Sequence, residues 1–276
     1  HSLERAGCEH EALDCADIAR RFPQWRLPEN VVAVYSPDTG TLPATRCVEV
    51  QAARAAAHGC AMREREPVRE ILPDASGAGV VTDQGPYRAD RLVIAAGPWS
   101  DGILRQVGVV VPLRVSQEQT VYFRPRAGAE QFEVGRFPIW IHHQELPVYG
   151  FPDLHGLGVK VAVHRSGPFI AIGDYTKTPR PEQIDELRSY LERYLPDAAG
   201  EAHGLTPCLY TNTPDEDFVV DSLPGLPHIA FAAGFSGHGF KFGIAIGRAL
   251  ADLVQHGATE LEIGHLSLAR FRSAGP

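Results

Sequence analysis

Cys208 lies in Leu205-Thr206-Pro207-Cys208-Leu209-Tyr210-Thr211, directly after a proline that interrupts any preceding helix. Such a cysteine is either a small buried hydrophobe or a nucleophile and covalent attachment point. The second reading needs thiolate character supplied by a positive neighbour. Lys160 lies in Gly158-Val159-Lys160-Val161-Ala162-Val163-His164, flanked by apolar residues on an expected strand. Buried lysines are rare without a partner or a task. The period-two alternation of a strand puts Lys160, Ala162 and His164 on one face, where two basic groups could line one cavity. An edge lysine reaching solvent is the alternative. Tyr149 and Tyr210 set aromatic hydroxyls beside these stretches, and either also suits a core position with a satisfied hydroxyl.

A glycine-rich stretch, Ala233-Gly234-Phe235-Ser236-Gly237-His238-Gly239-Phe240-Lys241-Phe242, follows the apolar run Ile229 to Ala233 and precedes a helical pattern from Gly243 to His256. A strand feeding such a turn into a helix can hold an anion or a polarised ring. The glycines admit close approach, and the helix N-terminus offers free N–H groups and partial positive charge. Gly239, Gly243 and Gly247 recur every fourth residue and make a smooth helix face. Ordinary close packing is the competing reading, because the spacing is G-x-G-x-x-x-G and not the dinucleotide fingerprint G-x-G-x-x-G. Lys241 stands one turn into this helix, as a solvated lysine or beside whatever the turn binds.

The elements that must position these residues come from a chain of 276 residues, enough for one or two domains. Apolar residues make up 44% and charged residues 22%, as in a globular protein, and the net charge of −8 argues against nucleic acid as a partner. No apolar run approaches the roughly 20 residues that span a bilayer. The five cysteines are scattered without a C-x-x-C pair, which suits a reducing compartment, so a cytoplasmic protein without a membrane partner is expected. His142 and His143 face opposite ways on a strand, and no metal site is expected.

Along the chain, residues 2–21 read as an amphipathic helix, Val31 to Tyr35 as a strand and Ala44 to His58 as an Ala-rich helix. Strands are expected at Cys60 to Ile71, Gly79 to Thr82 and Arg91 to Ala95. The last includes Leu92 to Ala95, a run apolar enough for burial on both faces. Gly97 ends it, and Ser100 is the expected N-cap of a helix through Val107. Residues 113–124, 137–150 and 158–163 alternate as long strands, and Pro181 to Leu195 is a well-marked amphipathic helix. The α/β signals flank a β-rich middle, which therefore reads as an inserted domain.

Taken together, these stretches resemble the monomeric sarcosine oxidase and N-methyltryptophan oxidase family, within the D-amino-acid-oxidase-like flavoproteins. The resemblance rests on Gly234 to Phe242, on Cys208 to Phe218, on Tyr149-Gly150-Phe151-Pro152 and on Ala89 to Trp99. It runs from about residue 10 to the C-terminus. It implies an α/β plus α+β fold: a partial Rossmann-like FAD-binding domain (43–112 and 209–276) with an inserted, mainly antiparallel β-sheet substrate domain (1–42 and 113–208). It also implies an FAD-dependent oxidase of N-methyl or secondary amino acids, giving imine, then aldehyde plus amine, and hydrogen peroxide. Its partners are the amine and oxygen. Cys208 matches the cysteine that carries FAD through a thioether, and Lys160 the lysine that promotes reaction with oxygen. His164, Tyr149 and Tyr210 match the substrate cavity, and Lys241 the lysine that binds the substrate carboxylate. Val68, Ala96, Gly97, Trp99, Ser236, Gly237, His238, Gly239 and Phe240 are the implied cofactor contacts.

The sequence departs from that family in carrying no G-x-G-x-x-G strand–helix–strand unit. The expectation is an N-terminally shortened chain that calls for a separate N-terminal segment. A flavin-dependent dehydrogenase and a non-catalytic or split-chain piece are the alternatives.

Overall fold

The computed structural model describes residues 2–154 and 156–271. The chain begins α1 (Ser2–Arg5), β1 (Glu11–Leu13), α2 (Cys15–Arg21), β2 (Ala33–Tyr35) and α3 (Ala44–Ala57). It continues through β3 (Val68–Asp74), β4 (Gly77–Thr82), β5 (Gly85–Ala89) and β6 (Leu92–Ile94) to α4 (Ser100–Gln106) and β7 (Arg114–Phe123). Next come β8 (Trp140–His142), β9 (Val148–Phe151), β10 (Val159–Val163), β11 (Phe169–Ile170) and α5 (Pro181–Tyr194). It closes with β12 (Ala202–Asn212), β13 (Val219–Leu223), β14 (Leu226–Ala233) and α6 (Gly243–His256). Two compact units result: His1–Thr41, Glu118–Pro168 and Thr176–Cys208 form the first, and Leu42–Gln117, Phe169–Tyr175 and Leu209–Pro276 the second.

In the first unit β7 pairs with β12 and with β10, β10 pairs with β9, and β9 pairs with β8. Those with a resolved register are antiparallel, with Val161 opposite both Val121 and Gly150. Alternation then sorts the side chains. Val121, Phe123, Val148, Val159, Val161 and Val163 pack with Leu187, Leu191 and Leu195 of the α5 segment in one core. Leu187 and Leu191 recur four apart on α5, as a helix facing a sheet requires. Gly150 is where the Trp140 ring lies flat against the neighbouring strand, since a Cβ there would overlap the indole.

In the second unit β6 runs parallel to β14, which is antiparallel to β13. Alternate β14 residues are buried on both sides. Ala230 and Ala232 pack with Ile246 and Leu250 of α6, while Ile229, Phe231 and Ala233 join Ile94 and Leu104. A separate antiparallel sheet, β3-β4-β5, supplies Ile71 and Ala78 to the same core. The fold is α/β with mainly antiparallel sheets.

Several expectations need correction. The expected helix over 2–21 is broken: Gly7 takes φ +66° after α1, β1 pairs with β2, and the Asp14 carboxylate caps a new helix by accepting from Asp17 N–H. The stretch 137–150 is two paired strands, β8 and β9. Pairing begins at Val68, just past Pro67, and not at Cys60, and β5 was not anticipated. Only one face of β6 is buried, with Ile94 at 4% exposure and Val93 at 41%. Ser100 is inside α4, whose cap position is Trp99. A Cβ on Gly243 or Gly247 would meet nothing within 4 Å, so no described neighbour uses that smooth face. Among the described residues all five cysteines are free, and no helix is long and apolar enough to cross a membrane.

Candidate active site

Three of the anticipated residues, Tyr149, Lys160 and Cys208, belong to one sheet of the first unit, and His164 lies just beyond it. Lys160 pairs with Tyr122 on β7 and with Phe151 on β9, and Ala162 pairs with Tyr149. Paired residues share a face, so Tyr149, Phe151, Lys160 and Ala162 lie opposite to the valine core. His164 follows β10 with its N–H donated to Pro147 O at 2.8 Å, and its ring lies 6.2 Å from that of Tyr149, edge-on. On the other edge of β7, the missing side chain of Gly204 is filled by the Tyr122 ring, 3.1 Å from where a Cβ would stand. Counting alternate residues from that contact puts Cys208 on the Tyr122 face, with Thr120 and Glu118. The core thus owns one face of this sheet and polar groups the other.

Lys160 is not an edge residue, because β10 is bonded on both sides. Its half-buried ammonium forms no ion pair among the described residues and lies 5.0 Å from the centre of the Phe151 ring. Burial lowers its pKa below the ordinary lysine value, and the Cys208 sulfur partly restores it. The Cys208 thiol is pushed up, first by burial and then by the Glu118 carboxylate, with Lys160 opposing both. The Cys208 thiol therefore senses both the Lys160 ammonium and the Glu118 carboxylate. Glu118, buried at 3% exposure, was missed by sequence reasoning. The available signal was a charged residue in the middle of a long strand with Gln on both sides.

The second unit holds the remaining residues in three places. Ala96 and Gly97 follow β6, and Gly234 to Gly237 follow β14. Since those strands are parallel, both turns lie at the carboxyl end of the pair, where open α/β sheets bind ligands. Gly97, Gly234 and Gly237 all take positive φ, and so does Ser236 at +48°. A Cβ on Gly237 would overlap the Tyr210 ring and one on Gly239 the Phe235 ring, so these glycines serve close packing inside the turn. Ser236 is fully buried, with its N–H donated to Thr211 O and its hydroxyl to Gly234 O. Any ligand contact from Ser236 is left to its backbone carbonyl. His238 Nε2 lies 3.1 Å from Glu216 O.

Lys241 is exposed and donates to His238 O at 3.0 Å, folded back on its own turn. Trp99 and Phe240 expose 60% and 48% of their surface. Val68 stands apart at the start of β3, in the antiparallel β3-β4-β5 sheet. A cleft of about 410 Å³ lined by Ser76, Asp90, Arg91 and His228 contains none of the anticipated residues. Its Arg91 Nε donates to Val254 O at 2.7 Å.

Similarity to known proteins extends over nearly the whole chain. Residues 1–253 match the DAO family, described as FAD dependent oxidoreductase. The chain is 34% identical over 273 residues to a monomeric sarcosine oxidase of Bacillus sp. (strain NS-129), covering 98% of this chain and 69% of that protein. It is 30% identical over 279 residues to the N-methyl-L-tryptophan oxidase of Escherichia coli O157:H7 (strain EC4115 / EHEC), covering 99% and 72%. Among solved structures it is similar to NikD, an unusual amino acid oxidase essential for nikkomycin biosynthesis, with a TM-score of 0.82, 26% identity, and coverage of 96% and 70%. L-proline dehydrogenase from P. horikoshii shares the fold, with a TM-score of 0.85 at 23% identity, covering 98% and 70%. The chain belongs to the DAO family of FAD-dependent oxidoreductases and is an enzyme of that class.

Proposed function

We propose that the chain oxidises an N-methyl or secondary amino acid of the sarcosine or N-methyltryptophan class and passes the electrons to oxygen. The observation that carries this reading is the half-buried Lys160, without an acid partner among the described residues, set on the polar sheet face with Cys208. A desolvated ammonium without a counter-ion favours electron density placed beside it. An isoalloxazine ring is such a partner, so the residues present fit the ring end of FAD. FAD held here would supply the acceptor for the hydride equivalent of the amine carbon, and the resulting imine would hydrolyse to aldehyde and amine.

The chain's own residues then have distinct tasks. Cys208 holds the ring through a thioether. Lys160 supplies a fixed positive charge for the negative charge that develops as oxygen is reduced to hydrogen peroxide, which is preorganised electrostatic stabilisation. Tyr149 and His164 line the amine cavity, and Tyr210 forms part of its wall. Lys241 binds the substrate carboxylate after releasing the His238 carbonyl. The turns 96–99 and 236–240 and the backbone at Val68 contact FAD. In this reading 43–112 and 209–276 form the FAD-binding domain, partly Rossmann-like through the β6–β14 pair. Residues 1–42 and 113–208 form the substrate domain. The FAD phosphates are assigned to a G-x-G-x-x-G segment outside this sequence, and FAD uptake with and without that segment supplied tests the assignment.

The decisive variant is Lys160→Met. Peroxide formation is expected to fall about 10²- to 10³-fold, the scale for losing one preorganised charge donor, while reduction of an artificial electron acceptor persists. Equal loss of both activities would assign Lys160 to amine oxidation. Unchanged peroxide formation would remove Lys160 from the reaction with oxygen, and absence of peroxide from the parent protein would remove the oxidase reading.

A further inference from the structure

Glu118 has no part in the roles given above. It is 3% exposed on β7, between buried Gln117 and Gln119, and its Oε2 accepts the Gly167 N–H at 2.9 Å. Carboxylates are almost never buried this completely unless they are paired or used. Alternation places Glu118 on the polar face with Thr120 and Tyr122. Among the described residues, the titratable groups that alternation places on that face include Cys208 and Tyr210 from β12, Tyr122 from β7, Lys160 from β10, His164 just beyond it and Tyr149 from β9. β12 runs antiparallel to β7, with Arg124 N–H donated to Glu201 O near one end and Asn212 Nδ2 donating to Arg114 O near the other, which sets Cys208 across from Glu118. The Glu118 charge opposes ionisation of the thiol, second to burial. Cys208 is therefore protonated at rest and a poor nucleophile. Once Glu118 accepts a proton its opposing charge is gone, and the thiolate is left facing the Lys160 ammonium.

We propose that Glu118 is the proton acceptor that activates Cys208 for covalent attachment of the flavin. The proposal rests on the covalent-flavin reading given above. In the step, the Cys208 S–H proton passes to Glu118 and a sulfur–carbon bond forms to a methyl carbon on the benzenoid ring. That methyl group loses one C–H proton, and the two electrons released enter the ring system, giving thioether plus reduced flavin. Molecular oxygen then takes two electrons and two protons, leaving oxidised flavin and hydrogen peroxide.

The test uses full-length apoprotein carrying Glu118, Glu118→Gln or Glu118→Asp, mixed with FAD in air. Acid-stable flavin fluorescence gives the attachment rate, quenching of free FAD gives binding, and iodoacetamide alkylation across pH gives the titration of Cys208. Glu118→Gln is expected to bind FAD yet attach it about 10²-fold more slowly or worse, the usual span for a lost general base. Its Cys208 is expected to alkylate at lower pH than in the parent, because the opposing charge is gone. Slower attachment by a more acidic thiol is the signature that a merely structural role does not produce. Glu118→Asp is expected to recover most of the rate, and it decides the matter if Glu118→Gln fails to fold: attachment slowed at unchanged FAD affinity supports the proposal. Attachment by either variant at the parent rate or faster overturns it, as does an unshifted thiol titration in Glu118→Gln. Parent protein that binds FAD without attaching it overturns the covalent reading and this proposal together, whereas failure in the variants alone is specific to Glu118.

Discussion

The two faces of the sheet formed by β12, β7, β10, β9 and β8 are built from alternate residues of the same strands, but they answer to different physics. On one face Val121, Phe123, Val159, Val161 and Val163 are all within 3% of full burial and close on α5. On the other, Tyr149, Lys160, Glu118 and Cys208 put titratable groups at neighbouring positions. The apolar face is explained by the free energy of removing hydrocarbon from water. The polar face is not, because burying an ammonium with no ion-pair partner among the described residues costs stability. What the comparison teaches is that residue type on the first face is set by packing and on the second by chemistry. Substitutions on the two faces should therefore separate stability from activity.

The largest effect is expected on the packed face. Leu191 is fully buried in the α5 contact, and Leu191→Ala should lower stability by about 2–5 kcal/mol, the range for such truncations. Denaturant unfolding measures it, and the folded fraction should keep its turnover. Lys160→Met, on the other face, is the opposite case. Its 10²- to 10³-fold loss of peroxide formation should come with unchanged or slightly raised stability, since it deletes a half-buried charge that has no ion-pair partner. If Leu191→Ala destroyed chemistry without unfolding, or Lys160→Met unfolded the protein, the division between faces would be broken.

A smaller effect sharpens the comparison through pH. Burial holds the Lys160 pKa below 10.5. As pH rises through that lowered value the folded protein loses a proton that the unfolded chain keeps until about 10.5. The unfolded state then binds more protons, so in that window this group makes stability increase with pH. Oxygen reactivity should move the other way, falling as the ammonium is lost. A pH profile of flavin reoxidation should show an alkaline limb below the ordinary lysine range, and Lys160→Met should lack it.

Much of this was legible in the sequence where periodicity was uninterrupted. The 159–163 strand, α5 and α6 each announce themselves by apolar spacing, and the face shared by Lys160 and Ala162 follows from counting by twos. The failures have local causes. The turn between β8 and β9 contains no glycine and none of the usual hairpin dipeptides, so 137–150 read as one strand. Residues 2–21 hide a strand because Gly7 and Asp14 act through backbone conformation and capping, which a hydrophobic pattern does not weigh. The every-fourth glycines of α6 suggested a packed face, but Gly243 and Gly247 have no described neighbour. Glu118 escaped because a charged residue in an alternating strand ordinarily faces water. Its burial depends on pairing with strands distant in sequence.

The central claim is that the polar face carrying Lys160 and Cys208 is where the flavin is held. The most direct measurement is acid precipitation of the purified full-length protein and of Cys208→Ser, followed by flavin absorbance in pellet and supernatant. The account predicts flavin in the pellet of the parent protein and in the supernatant of Cys208→Ser. Flavin released from the parent protein, or retained in the Cys208→Ser pellet, would contradict it.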